Sequence, residues 1–80
     1  MHLEIVSPEK KIYEGEVKLV KVPGSQGSFE ILLNHAPIIS TLEKGEVKII
    51  DKNNTESFFE IEGGIIEVNH NRITLLAEKV

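Results

Sequence analysis

Cysteine and tryptophan are both absent from this chain of 80 residues. Without cysteine there is no disulfide framework, no thiolate nucleophile and no sulfur-ligated zinc. The fold must therefore rest on packing or association, and a reducing compartment suits it. No apolar run approaches the length of a membrane-spanning helix, so direct membrane insertion is not expected. The opening MHLEIVSPEKK carries an acidic residue and a proline where a signal peptide needs a basic start and an apolar block. Positive charge is scarce as well: 9 Lys and Arg stand against 13 Asp and Glu, for a net charge of -4, and Lys10-Lys11 is the sole basic pair. That balance argues against nucleic acid as a partner, because neutralising a phosphate backbone takes clustered cations. The length suits one small domain over residues 1–80, with no room for a second, catalytic one.

What is present is alternation. Val47 and Ile49, Phe59 and Ile61, Ile66 and Val68, and Ile73 and Leu75 recur at period two, the spacing of a half-buried strand. Between these runs lie Ser7-Pro8-Glu9-Lys10, Pro23-Gly24-Ser25-Gln26-Gly27, Glu43-Lys44-Gly45, Asp51-Lys52-Asn53-Asn54, Gly63-Gly64 and Asn69-His70-Asn71, all good turn chemistry. The pattern predicts strands over 3–6, 17–22, 28–32, 38–41, 47–50, 57–62, 65–68 and 73–77. The expected fold is all-β, a small two-sheet antiparallel β-sandwich of about eight to ten short strands. Alternation fails between Val17 and Val22, where either both faces are covered or a bulge intervenes. Only Ala77 to Val80 leans helical. Asn53-Asn54-Thr55 matches a glycosylation sequon but reads better as a polar hairpin turn.

Chemistry is hard to find in these residues. The segment Pro23 to Ser28 has two glycines, yet a phosphate-binding loop needs Lys-Ser or Lys-Thr and a helix after them, and here a strand follows. Its small residues suit a protruding loop that another protein's backbone can approach. His2, His35 and His70 lack metal-ligand spacing, and no Gly-x-Ser-x-Gly elbow activates a serine. Glu60 and Glu62 share one strand face and cannot straddle a substrate. No catalytic residue, cofactor site or metal site is expected. An alternative function is a lipoyl- or biotinyl-type carrier domain modified on Lys52, since Asp51-Lys52 falls at a hairpin tip. At His35-Ala36-Pro37-Ile38-Ile39-Ser40 the proline interrupts ladder pairing, and the adjacent isoleucines must point to opposite faces. One fills the core and the other is offered to a partner.

Taken together, Ile5-Val6-Ser7-Pro8-Glu9, Tyr13-Glu14-Gly15-Glu16-Val17, Val22-Pro23-Gly24 with Gly27 and Phe29, Ile31-Leu32, His35 to Ser40, Gly63-Gly64-Ile65 with Glu67-Val68, and Thr74 to Glu78 resemble the N-terminal β-sandwich of the epsilon subunit of F-type ATP synthases. The resemblance implies a non-catalytic central-stalk rotor subunit, which couples ion-driven rotation of the c-ring to the gamma shaft and so to ATP synthesis. It implies a peripheral place on the cytoplasmic face of a bacterial inner membrane. Its partners would be the gamma subunit, at Ser7, His35, Ile38, Ile39 and Ser40, and the polar loops of the c-ring, at Ser25, Gln26, Gly27 and Ser28. Ser28 stands where many relatives carry an acidic residue, so this ring contact should depend less on charge. In most members a helical hairpin follows the sandwich and supplies inhibition and, in some, ATP binding. Neither role is expected of these residues.

Overall fold

A computed structural model describes residues 1–78. Eight strands form: β1 (His2–Val6), β2 (Lys11–Val22), β3 (Phe29–Ile31), β4 (Ile38–Leu42), β5 (Gly45–Asp51), β6 (Glu56–Ile61), β7 (Gly64–Asn69) and β8 (Arg72–Ala77). Hydrogen bonds link them in the order β4-β7-β8-β1-β2-β5-β6, with β3 also on β2. The path folds into two layers because β2 serves both. Its first half pairs with β1, and its second half pairs with β5 and β3. Between the layers lies an apolar core that includes Leu3, Ile5, Val20, Ile31, Ile49, Ile66 and Leu75, none more than 1% exposed. No buried polar side chain interrupts it among the described residues.

The period-two pairs all turn inward as expected, with Phe59 half-buried at the margin. The irregularity in β2 is a bulge: pairing with β5 slips between Val17 and Leu19, so Val17, Val20 and Val22 are all buried despite their uneven spacing. Three expectations need correction. The second strand begins at Lys11, six residues before the predicted start at Val17, and is 12 residues long. Its first half hides from periodicity because the inward position Gly15 has no side chain, and the Tyr13 hydroxyl occupies that space. Secondly, the sheets are not wholly antiparallel, since β1 runs parallel to β8. The chain visits the second layer between those strands and returns in the same direction, as a parallel neighbour requires. Thirdly, the helical lean expected over Ala77 to Val80 does not appear at Ala77, which ends β8 and pairs with Gly64 of β7. The rest of that stretch, beyond Glu78, lies outside the described residues.

Turn chemistry closes the hairpins. Asp51 Oδ1 accepts the backbone N–H groups of Asn53 (2.8 Å) and Thr55 (3.0 Å), making Asn53-Asn54-Thr55 the expected turn. His70 and Asn71, at φ 50° and 60°, form the two-residue turn between β7 and β8. At Gly64 the β7 backbone passes so close to β8 that a Cβ would collide with the Leu76 carbonyl oxygen.

Candidate functional site

Three neighbouring strands carry apolar doublets: Ile38-Ile39 on β4, Ile65-Ile66 on β7 and Leu75-Leu76 on β8. Adjacent residues of a strand face opposite ways, so each doublet sends one member inward and the other out. Ile66 and Leu75 are fully buried, and Ile38 packs against the core. The outward members are exposed, Ile39 by 75%, Ile65 by 44% and Leu76 by 49%. Ile65 pairs directly with Leu76, and Thr41 with Ile65, which sets Ile39 one diagonal step from Ile65. Outward apolar residues on three adjoining strands make this surface the candidate docking face. The division of Ile38 and Ile39 agrees with the sequence reading. Ile65 and Leu76 were missed there, although the same doublet signal identifies them once Ile66 and Leu75 are assigned to the core.

The loop before β3 stands beside this face. The Ser25 N–H donates to the Thr41 carbonyl (3.1 Å), the Thr41 hydroxyl donates to Ser25 Oγ (3.0 Å), and the Gly27 N–H donates to the Gly24 carbonyl (3.0 Å). Gly24 permits the closure, because a Cβ there would lie 2.6 Å from the Gly27 carbonyl oxygen. Ser25, Gln26, Gly27 and Ser28 are all exposed. Between them and Ile39, Ser40 and Thr41 lies a groove of about 600 Å³. The two sets of residues assigned to different partners thus line one groove from its two sides.

His35 sits on the connection into β4, half-exposed, with its ring Nδ1 2.8 Å from the Ala36 carbonyl. An amide pair fixes that connection: Asn71 Oδ1 accepts the Asn34 N–H (2.7 Å), and Asn71 Nδ2 donates to Asn34 Oδ1 (3.0 Å). Ser7 lies apart from this group. It follows β1, three strands from β4 in the sheet order, and at the end of β1 near Leu76, whereas His35 lies beyond the opposite end of the sheet. No trio of His, Cys, Asp or Glu side chains among the described residues is arranged to hold a metal.

Charge collects on the outer face of the same layer, beside the apolar set, where Glu4 pairs with Thr74 two residues before Leu76. His2 Nδ1 is 2.8 Å from Glu16 and Nε2 is 2.9 Å from Glu14, while Lys11 bridges Glu14 (2.6 Å) and Glu4 (3.2 Å). Both imidazole nitrogens can donate only when the ring is protonated. The bonds to Glu16 and then Glu14 hold the His2 pKa above its ordinary 6.5. Glu14 is lowered chiefly by Lys11 and then His2, and Glu16 chiefly by His2. A raised histidine contributes full stability below its unfolded pKa and loses it as pH climbs through the folded value; a lowered carboxylate contributes above its unfolded pKa and fails as pH falls. Relative to His2→Ala, the native chain should therefore gain most stability between pH 4.5 and 6.5, the ordinary values of the two groups, and less on either side. Urea midpoints of both proteins across pH measure this.

The family model for the ATP synthase delta/epsilon chain β-sandwich domain matches residues 1–80. The chain belongs to this family. The ATP synthase epsilon chain of Caulobacter vibrioides is 41% identical over 78 residues, covering 98% of this chain and 90% of that one. The epsilon chain of Alkalilimnicola ehrlichii is 42% identical over 78 residues, where this chain spans only 56% of the relative's length. Among solved structures, a chain of the Euglena gracilis mitochondrial ATP synthase superposes with a TM-score of 0.88 at 17% identity, over 94% of this chain and 48% of that one. A chain of the Tetrahymena thermophila central stalk and c-ring assembly gives 0.81 at 19% identity, over 99% and 63%. At such identities these two likenesses speak for the fold. Membership of the delta/epsilon family displaces the carrier reading of Lys52. That side chain is exposed at a hairpin turn, as a carrier lysine would be, but the turn is an ordinary one closed by Asp51. No helix among the described residues is long and apolar enough to cross a membrane.

Proposed function

We propose that this chain is a central-stalk rotor subunit of an F-type ATP synthase, acting as one domain over residues 1–80. It carries no catalysis itself and works at the cytoplasmic face of a bacterial membrane as a peripheral component. It links the c-ring, turned by ions, to the gamma shaft. The observation that carries this reading, beyond family membership, is the contiguous outward set Ile39, Ile65 and Leu76 beside an exposed polar loop. The apolar face suits a lasting contact with gamma, with His35, Ile38 and Ser40 along its border. Ser7 is then a peripheral member, reached only by a gamma surface that extends across the sheet. Ser25, Gln26, Gly27 and Ser28 suit a modest, partly wet contact with polar ring loops.

Replacing Gln26 and Ser28 together with lysine tests the ring assignment. Ion-driven ATP synthesis in reconstituted vesicles should fall roughly tenfold, while gamma affinity stays within about twofold, as for changes confined to a polar rim. Equal loss of both activities would put the loop against gamma instead.

A further inference from the structure

One edge of the first layer lacks the protection given to the others. Exposed strand edges are usually blunted by charge, shortness or cover, because unpaired backbone groups recruit other chains. The edge strand β6 carries Glu56 and Glu60, and β3 is three residues long with Glu30 in the middle. The terminal strand β4, Ile-Ile-Ser-Thr-Leu, has no charge at all.

Its hydrogen-bonding direction follows from the neighbouring hairpin. The two-residue turn at His70-Asn71 makes Asn69 and Arg72 a hydrogen-bonded pair, so the odd-numbered residues of β7 bond to β8 and the even-numbered ones to β4. On β4, Ile38, Ser40 and Leu42 therefore bond to β7, while Ile39 and Thr41 direct their backbone groups outward. The Thr41 carbonyl does accept an outside donor, the Ser25 N–H, and Gly24 bridges to Leu42. Past Ser25 that cover ends. The Ile39 N–H and carbonyl face an opening with no backbone partner among the described residues. Grooves of about 600 Å³ and 380 Å³ flank Ile39, the second lined by Pro37, Ile38, Glu67, Val68 and Asn69.

We infer that this opening on β4 receives an extended segment of the gamma subunit, which adds as a further strand in line with Pro23 to Ser25 and bonds to the Ile39 N–H and carbonyl. The inference rests on the docking reading above and specifies its backbone chemistry. The window from Pro37 to Thr41 admits about four extended residues at roughly 3.3 Å each. The β4 side of the opening, Ile39, Ser40 and Thr41, is uncharged, which favours a neutral segment with an apolar residue against Ile39.

Amide exchange and through-hydrogen-bond couplings of isotope-labelled chain, alone and bound to purified gamma subunit, test the inference. Binding should slow exchange at Ile39 at least 100-fold and produce a coupling from the Ile39 nitrogen to a gamma carbonyl. A complex without that coupling, with Ile39 exchanging as in the free chain, overturns strand addition and leaves gamma docking standing. Failure to form any complex overturns both. Protection of Ile39 that grows with concentration of the free chain would identify a second copy as the occupant and overturn the assignment to gamma.

Discussion

Ile39→Glu should leave the chain folded and weaken its binding to the gamma subunit by roughly 100-fold or more, the scale of losing a central apolar anchor in an interface. The wild-type side chain is 75% exposed, so a carboxylate there remains in water and costs the free chain little. Its neighbour behaves in the opposite way. Ile38 packs against the core from the same strand, and Ile38→Glu should lower folding stability by about 2–4 kcal/mol through partial burial of a charge without a partner. Urea denaturation and titration calorimetry with gamma separate the two effects. If both variants fold and bind normally, β4 is a structural bend and gamma docks elsewhere.

Gly64→Ala should be among the most damaging single changes in the chain. The added methyl would overlap the Leu76 carbonyl oxygen and crowd Ala77 Cα, both backbone atoms of a paired strand that cannot swing aside. A loss of about 3 kcal/mol or more is expected, from strain combined with disrupted β7–β8 pairing. Gly27→Ala supplies the comparison. Gly27 has φ +124°, a conformation that alanine adopts only with strain, but its Cβ would meet nothing within 4 Å. It should cost about 1–2 kcal/mol from backbone strain alone. Equal losses in the two variants would mean that the close approach of β7 to β8 is relaxed easily.

Most strand faces were legible in the sequence because period two is a local property, and burial of the periodic pairs follows from it directly. Turns were legible for the same reason: Asp51, Asn54, Gly63 and the His70-Asn71 pair act within a few residues of themselves. Strand order was not. Nothing local announces that β1 lies parallel to β8, or that Ser7 and His35 fall at opposite ends of a sheet. The start of β2 was concealed by a different cause, since an inward glycine covered by its neighbour's hydroxyl leaves no apolar mark. Of the candidate docking face, the proline beside Ile38-Ile39 marked one doublet. Ile65 and Leu76 carry equal information but stand in unbroken strands, where an outward apolar residue is noticed only after the adjoining strands are known.

The strand β2 belongs to both layers, with its bulge at the passage from one to the other. A sideways push received by the first layer thus reaches the second along a covalent chain, without relying on side chains sliding past one another in the core. Two slabs joined only by apolar contact would creep under repeated load, whereas a shared beam makes them twist as a unit. In the rotor role proposed above, that difference would decide whether torque is delivered or absorbed.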